Sequence, residues 1–106
     1  MFETSSNETN ARRARCDDVV VARSTATQSV DGYEYFPPED VNWDVLEETG
    51  ATSVCYWKGQ ARYYDVVVGP KRLARAAWTY PEPSPAAEHI RGHVAFWRGV
   101  QVEAGE

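Results

Sequence analysis

At 106 residues the chain has room for one domain, and 42% apolar with 25% charged side chains is a globular balance rather than that of a disordered or membrane-embedded chain. Sixteen acidic against eleven basic side chains give a net charge of −5, a surface that repels phosphate backbones and excludes nucleic acid as an expected partner. No apolar run approaches the roughly 18 residues of a membrane span, and no secretory leader is recognisable, so no membrane partner is expected. Residence in the cytoplasm follows, where thiols stay reduced and a Cys16–Cys55 disulfide is disfavoured.

Residues 1–14 (MFETSSNETNARRA) are polar and without period. They are expected to form a disordered leader, with Arg12, Arg13 and Arg15 in a solvated arm. Residues 15–106 read as a single β-rich domain, because apolar stretches alternate with turn residues. The stretch DDVVVARS predicts one strand, Ala26–Val30 a second and YEYF a third. Asp31-Gly32 between the last two predicts a type I′ hairpin, since both residues tolerate positive φ. In FPPEDVNWDVLEETG the period changes. Pro38 suits a first helical position, Glu39 and Asp40 favour the N-terminal end, and Gly50 marks a stop, so a short helix or 3₁₀ segment is expected.

TSVCYWKGQARYY then predicts a hairpin, Thr52–Trp57 and Gln60–Val68, turning at Lys58-Gly59 and broken at Gly69-Pro70. ARAAWTY alternates, placing Ala74, Ala76, Trp78 and Tyr80 on one face and Arg75 and Thr79 on the other. Prolines 81, 83 and 85 hold the chain extended, and Ser84 is expected to cap a second short helix that ends before Gly92. HVAFWRGVQVEA supplies one or two closing strands. The sum is seven or eight strands in a mainly β, antiparallel, tent- or barrel-like domain with two short helices.

YFPPEDV, CYWKGQARYYDVVV, AAWTYPEPSPAAEHIRGHVAFW and GVQVE, in this order and spacing over residues 15–103, resemble the family of domain of unknown function 427. The resemblance implies a small antiparallel fold of the β-tent group. Three positions depart from the family pattern: Tyr56 stands where proline is common, Thr79 where a tyrosine is, and Glu34 where a histidine is. The family also carries a nucleotidyltransferase-type name. That chemistry needs carboxylates that hold metal ions against a triphosphate. Asp17 and Asp18 are adjacent, so on a strand they face opposite sides, and no phosphate-cradling glycine loop accompanies them.

Three chemistries remain for the residues themselves. A zinc site would have to draw on Cys16, Cys55, His89 and His93, but there is no CxxC pair and Gly92 interrupts the histidine spacing, so neither metal nor other cofactor is expected. Cys55 as a nucleophile would need the cation of Lys58 to favour its thiolate; as a small apolar residue it would simply pack. The aromatic side chains of Tyr35, Trp57, Tyr64, Trp78, Tyr80 and Trp97 lie on separate strands or strand ends. In a curled sheet such rings converge on one concave face, where Lys58 and Glu34 would be the rim charges of a small-molecule site. The leading expectation is a small-ligand-binding module with ligand-binding residues Tyr35, Trp57, Lys58, Tyr64, Trp78 and Tyr80. The alternatives are a thiol-dependent enzyme using Cys55 and Lys58, and a protein–protein adaptor working through a sheet edge.

Overall fold

The computed structural model describes residues 11–105. It is mainly β, with nine strands among the described residues: β1 (Arg12–Cys16), β2 (Val19–Ser24), β3 (Gln28–Val30), β4 (Tyr33–Tyr35), β5 (Leu46–Cys55), β6 (Gly59–Val68), β7 (Lys71–Thr79), β8 (Val94–Phe96) and β9 (Gln101–Ala104). All strand pairs are antiparallel. They form a three-stranded sheet β2-β1-β9, the hairpin β3-β4, and a four-stranded sheet β5-β6-β7-β8, with no closed barrel. The hairpin joins the edge of the four-stranded sheet through Phe36 and Val94, which exchange N–H···O bonds of 2.8 and 2.9 Å. Among the described residues no helix is long and apolar enough to cross a membrane.

Strand alternation gives the four-stranded sheet two different faces. Val66, Ala77, Val94 and Phe96 point to a cluster shared with Ala14, Cys16 and Val21 of the three-stranded sheet. Ala61, Trp78, Tyr80 and Ala95 point the other way, onto Val30 and Tyr35 of the hairpin and Ile90 of the segment that follows β7. Cys16 and Cys55 are free and belong to the two different clusters.

Several expectations are corrected. The leader was expected to run to residue 14; instead β1 starts at Arg12 and lies in the middle of its sheet, with Ala11, Ala14 and Cys16 fully buried. The arginines between them are not a free arm. Arg13 and Arg15 both donate to the carboxylate of Glu103 on β9, at 2.6 and 2.9 Å. Residues 1–10 of that expected leader lie outside the described residues. Asp17 and Asp18 do not begin a strand but form the turn between β1 and β2, with Asp17 at φ 54°. The Asp31-Gly32 turn is as expected, both residues having positive φ.

The segment expected as a short helix or 3₁₀ turn is a pair of 3₁₀ turns, Pro38–Asp40 and Trp43–Val45, and the second expected helix is the 3₁₀ segment Pro85–Ile90. Gly50 does not end a helix; it sits at a register shift within β5. Ser84 makes no side-chain cap. Its hydroxyl donates instead to the Trp57 carbonyl, tying the proline segment to the β5–β6 turn. The alternation expected in ARAAWTY fails at a bulge. Between the pairs Tyr64↔Ala77 and Val66↔Leu73, β7 carries three residues against one, with Arg75 at φ 51°. Ala74 is exposed as a result, and Thr79 is buried.

Candidate functional site

Period-two geometry on three strands assembles the site. Tyr33 and Tyr35 share one face of β4; Tyr63 on β6 stands directly opposite Trp78 on β7, and Tyr80 follows Trp78 by two. With Trp97 just after β8, six rings line a cavity of 290 Å³, completed by Lys58 and Asp31. The rings meet mostly edge to face. Trp78 lies 4.9 Å from Tyr33, 5.1 Å from Trp97 and 6.1 Å from Tyr35 between centroids, at angles of 85°, 65° and 87°. Such pairs match the positive edge of one ring to the negative face of another. The indole N–H of Trp78 donates to the Tyr35 hydroxyl at 3.2 Å, which leaves the phenol proton of Tyr35 available to another acceptor.

Lys58 is the charged group of this site, and the fold holds it there. It occupies the β5–β6 turn, whose Trp57 and Lys58 carbonyls accept the hydroxyl and the amide of Ser84, the latter at 3.0 Å. Gly59 keeps this junction close: at φ 113°, any Cβ would stand 3.3 Å from Pro83 Cα and Ser84 N. Lys58 is only 7% exposed. Its ammonium donates to Asp31 at 2.7 Å and lies 5.3 and 5.6 Å from the ring centroids of Trp57 and Tyr80. Burial works against the charge, but the Asp31 hydrogen bond together with the fields of Tyr35, Tyr80 and Asp31 outweighs it and raises the pKa. Burial pushes the Tyr80 phenol up to about 12 against the opposing charge of Lys58, so this group stays a proton donor at neutral pH.

Of the sequence-predicted site residues, Tyr35, Lys58, Trp78 and Tyr80 meet at the cavity, as does Trp97 from the wider aromatic set. Trp57 lies in the turn rather than on a strand; it backs Lys58 and does not line the cavity. Tyr64 points to the opposite face, partly buried on the other cluster and 5.8 Å from Trp43. Glu34 is not the rim anion. It accepts from Thr27 at 2.7 Å and from Ser29, and these bonds with the charge of Arg12 outweigh burial to hold its pKa below the usual carboxylate range.

Asp31, Tyr33 and Tyr63 escaped the sequence reading. Tyr33 carried a usable signal, lying two residues from Tyr35 on the same strand face. Choosing Tyr63 over Tyr64 required the register with Trp78, which only the folded sheet supplies. Cys55 closes β5 and packs partly buried against the aromatic cluster. Among the described residues no group of three or more His, Cys, Asp or Glu side chains is placed to hold a metal ion.

A larger cavity of 480 Å³ lies beyond Tyr33 and Trp97, lined also by Arg12, Glu34, Val102 and Glu103. Its two acids are already bound by Ser29 and Thr27 and by Arg13 and Arg15. The aromatic cavity instead gathers six rings and the Lys58–Asp31 pair around one volume. No curated protein matches the chain. The model of the family described as "Domain of unknown function (DUF427)" matches residues 4–105, and the chain belongs to that family.

Proposed function

We propose that this protein is a small-ligand-binding module whose site is the aromatic cavity between β4, β6 and β7. The observation that carries the reading is the convergence of six rings and the Lys58–Asp31 pair on one 290 Å³ volume. Mostly apolar walls with a few fixed polar groups are what a small-molecule site requires. The rings offer faces and edges to a planar ligand, and Tyr35 and Tyr80 offer phenol protons. Lys58 adds a positive field at the mouth. Engagement of Lys58 by Asp31 and two ring faces supports binding over activation of Cys55, whose thiolate would compete for the same cation.

Native mass spectrometry of protein purified without added ligand, repeated after denaturation, tests the reading. The expected result is mass above that of the chain which disappears on unfolding and is reduced in Lys58→Met. A bare chain, together with no saturable change in tryptophan emission across a panel of planar heteroaromatic compounds, would overturn it. One observation favours the adaptor alternative: Val54 and Tyr56 are 77% and 96% exposed at the tip of the β5–β6 hairpin. Under that reading Tyr56→Ser would abolish capture of a partner while leaving the tryptophan response to ligands unchanged.

A further inference from the structure

A second cavity of 150 Å³ adjoins the aromatic one, sharing Tyr63 and Trp97 and adding Thr52, Ser53, Arg75 and Arg98. Arg13, Arg15, Arg72 and Arg91 are paired with carboxylates, whereas neither Arg75 nor Arg98 enters an ion pair among the described residues. Both also have left-handed backbone, φ 51° and 52°. The other non-glycine residues so placed are the turn aspartates Asp17 and Asp31, a residue type that tolerates this region. For a long side chain it is uncommon and persists only where the surroundings enforce it.

At Arg98 this conformation belongs to the tight turn Arg98-Gly99, which the Val100 amide closes on the Trp97 carbonyl at 3.2 Å; at Arg75 partners from elsewhere in the fold hold it. Asp65 accepts the Arg75 amide at 2.9 Å, and the Trp97 indole donates to the Arg75 carbonyl at 2.7 Å. The Arg98 guanidinium stacks 4.4 Å from the centroid of the Trp97 ring. One indole therefore walls the aromatic cavity, anchors one arginine and carries the other on its face. The Asp65 carboxylate accepts that amide and the Arg72 guanidinium at 2.8 Å, and makes no side-chain ion pair with Arg75 or Arg98. Across the cavity Ser53 and Tyr63 place their hydroxyls 2.9 Å apart. Two arginines and two hydroxyl side chains around one cavity are the groups an oxyanion requires, since it accepts several charge-assisted bonds at once. The aromatic cavity accommodates a ring, and the smaller cavity beside it, sharing Tyr63 and Trp97, has room for a substituent on that ring.

We propose that the occupant is a planar ring compound bearing an oxyanion, its ring in the aromatic cavity and its phosphate or carboxylate between Arg75 and Arg98. This rests on the reading of the aromatic cavity as a binding site and names the class of ligand it takes. The test is calorimetric titration of the whole chain with 1-naphthyl phosphate, 1-naphthol and inorganic phosphate, repeated on Arg75→Gly with Arg98→Gly. Glycine takes positive φ without strain, so this variant keeps the backbone, and circular dichroism confirms its fold. The expected result is naphthyl phosphate binding at least tenfold tighter than naphthol, with the difference erased in the variant. Equal binding of the two ring compounds, unaffected by the variant, would overturn the proposal and leave the aromatic site standing. Inorganic phosphate binding as well as naphthyl phosphate would also overturn it, since the ring would then contribute nothing. Failure of both ring compounds to bind would overturn the proposal and the aromatic site together.

Discussion

The two faces of the four-stranded sheet come from alternate residues of the same strands, yet they are packed to different ends. On one, Val66, Ala77, Val94 and Phe96 close against the three-stranded sheet, and Phe36 meets Phe96 edge to face at 5.7 Å. On the other, Trp78 and Tyr80 meet Tyr33, Tyr35, Tyr63 and Trp97, and a cavity remains with a charged pair at its mouth. Small and branched side chains interdigitate to near-crystalline density. Large flat rings held edge to face leave volume between them, and their polar tips favour a wet boundary. One face of the sheet is thus closed by packing, and the other keeps a ring-lined cavity.

Removing a ring from each face should separate them most clearly. Phe36 is fully buried, so Phe36→Ala should cost about 3–5 kcal/mol in urea denaturation. Tyr33 is half-buried at the cavity, and Tyr33→Ala should cost only about 1–2 kcal/mol, because part of its ring is already in water. Similar losses at both positions would break the comparison.

The next effect concerns the charged pair. Asp31→Asn keeps a residue suited to the left-handed turn but leaves a buried ammonium without its counter-ion, at a cost of about 1–3 kcal/mol. Lys58→Met should cost less than about 1 kcal/mol, since the Asp31 side chain is 54% exposed and rehydrates easily. The sign with pH follows from the raised pKa of Lys58. Its stabilisation is complete below the ordinary value of 10.5 and is lost as pH rises through the higher folded value. Above pH 10.5 the wild type should therefore lose stability more steeply than Lys58→Met, as thermal melts across that range would register.

Two smaller effects sharpen the picture. Thr79 is 4% exposed and its hydroxyl has no hydrogen-bond partner among the described residues. Thr79→Val should leave stability unchanged or raise it by up to about 1 kcal/mol; a clear loss in urea denaturation would mean the hydroxyl is satisfied. The Arg75 amide and the Arg72 guanidinium hold Asp65 below the ordinary carboxylate value of 3.8. Its contribution is present above that value and lost as pH falls through the folded one. Asp65→Asn should thus be slightly less stable at neutral pH, with the gap in melting temperature closing under acid.

Local chemistry made much of this fold legible in advance. Asp31-Gly32 announced its turn because positive φ at both positions restricts the choice of residue, and Gly59 placed the second hairpin close to its true turn. What stayed hidden depended on distant partners. The alternation of Ala14 and Cys16 with Arg13 and Arg15 was present in the sequence. It reads as a strand only once Glu103, at the far end of the chain, is known to hold both arginines. The bulge at Arg75 has no glycine or proline to mark it; Asp65 on β6 and Trp97 just after β8 hold it from other parts of the fold. The same limit governs the site. Tyr35, Trp78, Tyr80 and Lys58 were recognisable from residue type and strand position, whereas the exchange of Tyr64 for Tyr63 is one step of parity that only the β6–β7 register decides.

The four tryptophan indoles offer the most direct measurement, because they report on different places in one spectrum. Trp78 and Trp97 wall the cavity, Trp57 backs Lys58, and Trp43 lies against Tyr64 on the opposite face. Nitrogen-15 correlation spectra recorded while 1-naphthol is titrated into the protein should show saturable shifts of the Trp78 and Trp97 indole signals, with Trp43 unmoved. Equal shifts of all four, or of Trp43 alone, would contradict the assignment of the aromatic cavity as the binding site.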